Sequence, residues 1–143
     1  RRGQLTSQDE GSLMPNSDEL PPLSEAQLEI MNLIWDLKSC SVGDVWKELN
    51  ARRGVSRNTI HTLIIRLEEK GWLTHSEDSD VFKYSATVSR EETQQRSLQR
   101  MIETVFDGSA EGLVLTLLNG GTVSKSEAER IREMITRARK RKS

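Results

Sequence analysis

Five polar side chains share one stretch of this chain at spacings that suit chemistry on a nucleic acid. They are Arg57, Asn58, His61, Thr62 and Arg66, within SRNTIHTLIIRLEEKGWLTH, residues 56–75. Arg57 carries the guanidinium fork that pairs with a guanine edge or a phosphate, and Asn58 has the amide geometry for adenine. His61 and Thr62 fall one turn further along the same face. Arg66 lies a turn deeper, where a phosphate suits it better than a base. Thr59 falls between groove and packing. Ile65, beside this face, fits either a thymine methyl or shelter under the next element. Ser41 and Ser56 stand at helix starts, whose free amides attract phosphate. The alternative for any charged helix face is plain solvation, and for Arg66 an ion pair with Glu69. The concentration of all five near one helix start favours recognition.

The opposite face of that helix carries Ile60, Leu63, Ile64 and Leu67 at i, i+3, i+4 and i+7, a packing stripe. The elements around it must hold it in place. Ser24, with Gln27 three residues on, is a capping box for a first helix to about Lys38. Its apolar residues, Leu28, Ile30, Met31, Leu33, Ile34, Trp35 and Leu37, cover enough surface for a helix at the centre of a domain. Ser41 caps a second helix to about Arg52, with Val42, Val45, Trp46 and Leu49 on one side. Gly54 ends it, and Ser56 caps the third helix so soon afterwards that the two must cross sharply. Trp35, Trp46 and Trp72 are assigned to the core. After Gly71, the alternation of Leu73 and His75, then Phe82 and Tyr84, about the polar tip Glu77-Asp78-Ser79-Asp80 predicts a β-hairpin leaning on the helices. Helix, turn, helix and hairpin in this order make a winged helix-turn-helix over residues 23–88.

Three further helices are expected over residues 89–143, capped by Ser89, Ser109 and Ser124. Leu98, Met101, Ile102, Val105 and Phe106 line the fourth helix of the chain, Leu113 and Leu117 the fifth, and Ile131 and Ile135 the last. These stripes are too thin for a monomeric core, so their simplest partner is the same segment of a second copy. The fold class is thus mainly α (α+β), a winged helix-turn-helix followed by a helical dimerisation region. Residues 1–22, rich in Ser, Gly, Asp and Glu and closing on Pro21-Pro22, read as a disordered arm.

Composition narrows the function. Net charge is −1, but residues 124–143 hold +5, while 1–22, 23–88 and 89–123 hold −2 each. Any nucleic-acid signal is therefore local. The basic run from Arg137 to Lys142 suits the negative end of its own helix. With one cysteine, Cys40, and two histidines, the chain offers no metal-spaced cluster, no phosphate loop and no catalytic constellation. No enzyme activity, cofactor or metal is expected. No apolar run reaches membrane length, so a cytoplasmic protein without membrane insertion is expected. Two other readings fit a winged helix: a protein-interaction module, favoured by the neutral net charge, and a ligand-sensing regulator.

The strings LSEAQLEIMNLIW, VGDVWKELN, SRNTIHTLIIRLEEKGWLTH and FKYSATV, in this order, resemble the penicillinase and methicillin-resistance repressor family of bacteria. The resemblance runs from Leu23 to about Lys142. It implies a homodimeric transcriptional repressor, joined through its C-terminal helices, that binds double-stranded DNA at inverted-repeat operators of resistance or cell-wall-stress genes. It also implies release when a membrane sensor metalloprotease, once activated, causes a cut in the fourth helix. The family's Asn-Phe cleavage bond is replaced here by Arg100-Met101. The wing tip is acidic, through Glu77, Asp78 and Asp80, so any wing contact with phosphates falls to Lys83 or to backbone amides. The copper-responsive repressors are similar in architecture but carry Cys-x-Cys pairs near the C-terminus, and no cysteine follows Cys40 here.

Overall fold

A computed structural model describes residues 20–142. Helices α1 (Glu25–Leu37), α2 (Val42–Arg53) and α3 (Arg57–Glu69) are followed by strands β1 (Leu73–Asp78) and β2 (Val81–Ala86). Helices α4 (Arg90–Thr104), α5 (Ala110–Asn119) and α6 (Lys125–Lys142) complete the chain. The serine caps set these boundaries. Ser24 and Ser41 each form a full capping box, with Gln27 and Asp44 respectively. Ser56, Ser89, Ser109 and Ser124 each accept a hydrogen bond from the amide three residues on. Each satisfies a donor that the helix would leave unpaired.

The chain divides into two compact units, one ending at Arg96 and one beginning at Ser97, so the division falls inside α4. In the first unit, Ile30, Met31 and Ile34 of α1 pack with Val45 and Leu49 of α2 and Ile60, Ile64 and Leu67 of α3. All eight are fully buried. The hairpin closes this core. Its strands pair antiparallel from Leu73↔Ala86 to Asp78↔Val81. Tyr84 then exchanges two backbone hydrogen bonds with Cys40, 2.8 and 3.0 Å long, between α1 and α2. A hairpin too weak to stand alone thus gains a third partner and an apolar floor of Leu73 and Tyr84.

Three expectations need correction. Leu20, Pro21 and Pro22 do not belong to a free arm. Leu20 is buried, its Cδ2 only 3.0 Å from where a Cβ on Gly71 would stand. Gly71, at φ 95°, supplies both that space and the backbone turn. Trp72 Nε1 donates to Pro21 O at 2.8 Å, and Lys70 Nζ to Pro22 O at 3.3 Å. Residues 1–19 lie outside the described residues. Second, of the three tryptophans only Trp72 is buried; Trp35 and Trp46 are half-buried, and their ring faces carry arginines. Third, Val105 and Phe106 are not on α4. The helix stops at Thr104, and Asp107 and Gly108, both at positive φ, turn the chain away.

In the second unit no apolar side chain among the described residues is buried. Leu98, Met101, Val105 and Ile135 are exposed; Ile102, Phe106, Leu113, Leu117 and Ile131 are half-covered.

Candidate nucleic-acid interface

Only Gly54, Val55 and Ser56 separate α2 from α3. This turn is fixed from both sides. Gly54 takes φ 66°, Asn50 Oδ1 accepts from the amide of Val55 at 3.1 Å, and Trp46 Nε1 donates to its carbonyl at 2.9 Å. The start of α3 is therefore rigid where recognition needs precision.

From there α3 presents two faces. Ile60, Ile64 and Leu67 are buried, whereas Arg57, Asn58, Thr59, His61, Thr62 and Arg66 are exposed. His61, Thr62, Arg66, Glu69 and the half-buried Ile65 line one shallow hollow. Ile65 thus adds an apolar floor to the polar face. Thr59 shares in the helix cap, where its Oγ1 accepts a hydrogen bond from Ser56 Oγ at 2.9 Å. Arg66 forms no ion pair with Glu69 among the described residues. Its charge is left facing solvent.

The other cations nearby are mostly spoken for. Arg52 pairs with Glu48 at 3.5 Å, and Arg53 with Glu29 at 2.8 Å, which holds the Arg53 guanidinium more firmly protonated. Lys83, half-buried on β2, reaches Asp44 Oδ2 at 3.6 Å. Hydrogen bonds from Ser41, with a smaller contribution from Lys83, hold the Asp44 carboxyl below its ordinary value despite some burial. The wing tip adds exposed Glu77, Asp78 and Asp80. His75 is fully engaged, touching Glu68 and lying between Phe82 and Tyr84. The Cys40 thiol is buried, and desolvation, helped by Asp44 and opposed by Lys83, pushes it up to about 11, far from a reactive thiolate.

The arrangement is one exposed polar helix face bordered by cations, on a rigid scaffold. Among the described residues no His, Cys, Asp or Glu group could hold a metal ion, and no helix is long and apolar enough to cross a membrane. Residues 23–137 match the penicillinase repressor family. The chain belongs to this family. Penicillinase repressors are regulators and not enzymes. A relative, the methicillin resistance regulatory protein MecI of Mammaliicoccus sciuri, is 30% identical over 115 residues, spanning 80% of this chain and 94% of that protein. The penicillinase repressor of Bacillus licheniformis is 27% identical over 124 residues, spanning 87% and 97%. Monomeric BlaI of Bacillus licheniformis, solved in complex with the blaP half-operator, is 36% identical over 51% of this chain and 89% of that one, with a TM-score of 0.46.

Sequence reasoning placed the exposed side chains of this penicillinase repressor's α3 but missed their support. Trp46 and Gly43, on α2, both border the Arg57 guanidinium. The apolar period of α2 conceals this, because a tryptophan in a packing stripe reads as core whichever way its ring face turns.

Proposed function

We propose that this protein is a homodimeric, sequence-specific transcriptional repressor acting in the cytoplasm on double-stranded DNA. Helix α3 enters the major groove. Asn58, His61 and Thr62 meet base edges, with Thr59 and Ser56 at the leading end, and Arg57, Arg66 and Lys83 supply positive charge. The carrying observation is the division of α3 into a side whose Ile60, Ile64 and Leu67 are buried and a side whose Arg57, Asn58, His61, Thr62 and Arg66 are exposed. Two copies joined through Leu98, Met101, Ile102, Val105, Phe106, Leu113, Leu117, Ile131 and Ile135 match an inverted-repeat operator by their own two-fold symmetry. Membership of the penicillinase repressors supports genes of β-lactam resistance or cell-wall stress as targets. It also supports relief by a cut in α4 at Arg100-Met101, under a membrane sensor metalloprotease.

The test is a mobility shift on the gene's own upstream region, titrated with salt and random competitor DNA. The expected shift resists competitor and loses roughly 10³ or more in affinity between 50 and 200 mM salt. A folded dimer that binds the upstream region no better than random DNA overturns the sequence-specific reading.

A further inference from the structure

Arg57 is the first residue of α3, yet its side chain runs back onto α2. The guanidinium carbon stands 5.8 Å from the centre of the Trp46 ring. A Cβ on Gly43 would sit 3.2 Å from Nη2 and 3.4 Å from Nη1, so the bare backbone at Gly43 lets the guanidinium lie close against α2. The Trp46 ring is held by its own N–H bond to Val55 O. Among the described residues no carboxylate pairs with Arg57, and the nearby Asp44 is occupied by Ser41 and Lys83. A cation on an aromatic face, within about 6 Å, is oriented without being neutralised.

In a helix-turn-helix the second helix reads bases while the first crosses the backbone. A guanidinium held on the first helix is therefore held at the backbone. We infer that Trp46 and Gly43 position Arg57 on a DNA phosphate, so that Arg57 sets how α3 sits in the groove and base reading falls to Asn58, His61 and Thr62. This rests on the repressor reading above and resolves the choice between guanine and phosphate that the sequence leaves open. Trp46 acts here as a positioning residue.

The experiment compares full-length wild type, Arg57→Ala, Trp46→Leu and Trp46→Phe on operator and unrelated duplexes across a salt series. Arg57→Ala and Trp46→Leu are expected to weaken both duplexes alike, by about five- to tenfold. They should leave the operator preference within about twofold and reduce the salt slope by about 1 per protomer. Trp46→Phe, which keeps a ring face but loses the bond to Val55, should lie between wild type and Trp46→Leu in both affinity and salt slope. Loss of preference at a single base pair in Arg57→Ala overturns the inference, as does Trp46→Leu binding with wild-type slope. Should Trp46→Leu fail to fold, proton NMR of the wild type decides. Ring-current upfield shifts of the Arg57 side-chain protons support the stack, and unshifted protons overturn it. If the wild type binds no DNA, the repressor reading falls and this inference falls with it; if the wild type binds normally and only the variants disagree, the inference alone fails.

Discussion

Nδ1 of His75, on the first wing strand, lies 2.5 Å from Oε2 of Glu68, in the last turns of α3. The imidazole also stacks on Phe82 of the second strand, centroids 4.3 Å apart and planes 22° from parallel. One side chain thus couples both wing strands to the helix that carries the polar face. The contact with Glu68 is partly solvated, so its share is modest, and the stack adds a comparable amount. His75→Ala is expected to cost about 1 kcal/mol in urea unfolding. Phe82→Ala and His75→Ala together should cost less than their sum, with a coupling of about 0.5–1 kcal/mol. Strictly additive losses would show that the stack of His75 on Phe82 contributes nothing.

Alkaline pH should weaken the fold through Cys40. The buried thiol ionises only at about 11 in the native chain, against an ordinary 9.0. Between those values the unfolded chain has lost a proton that the folded chain keeps, so stability falls as pH rises. It is fully present below about 9 and the loss is complete above about 11, on the order of 2 kcal/mol in all. Burial, then Glu68, also raises Tyr84, which adds a slope of the same sign. Urea titrations from pH 8 to 11 should therefore show Cys40→Ala with a shallower decline than wild type, though not a flat one. Identical declines would exclude Cys40 as the source.

The wing turn leaves room for improvement. Ser79 and Asp80 join strands paired up to Asp78↔Val81, and both hold positive φ, 54° and 68°. A two-residue turn of that hand prefers Asn-Gly, because a serine pays steric strain there. Replacing Ser79 by Asn and Asp80 by Gly should raise stability by about 0.5–1 kcal/mol and remove one carboxylate from the tip. If wing carboxylates repel DNA, the same variant binds operator more tightly at low salt, and the gain vanishes at high salt. Thermal melts and salt-dependent mobility shifts read the two effects separately.

What was legible in the chain was what is local. Helix starts show because a serine caps within three residues, and faces show because Ile60, Ile64 and Leu67 repeat with the helical period. The polar side of α3 follows by subtraction. Contacts between distant segments were not legible. Leu20 reaches Gly71, and Pro21 meets Trp72, across about fifty residues, so Pro-Pro read as punctuation hides an anchoring strap. Leu20→Ala should accordingly cost about 2 kcal/mol or more, close to a core residue, in equilibrium unfolding. A loss below about 0.5 kcal/mol would return Leu20 to the arm. Trp46 escaped for a related reason: periodicity tells which side of α2 a residue is on, not what lies on its ring.

The last prediction concerns the C-terminal helices. Ile135 on α6 is 51% exposed and Met101 on α4 is 47% exposed, while every apolar side chain of that unit stays at least partly in water. Leaving such stripes solvated forgoes about 25 cal/mol for each Å² that a partner would cover. A second copy is the partner that two-fold symmetry supplies most simply. Ile135→Glu places a charge in that surface, where desolvating it without a partner is costly. Sedimentation of the wild type should show a dimer at micromolar concentration, and Ile135→Glu should raise the dissociation constant at least tenfold. Near-UV circular dichroism should stay unchanged, because Trp35, Trp46 and Trp72 all lie before Arg96. Operator affinity should fall with the dimer, since each half-site then binds alone. A variant that remains dimeric would place the self-association surface elsewhere on the chain.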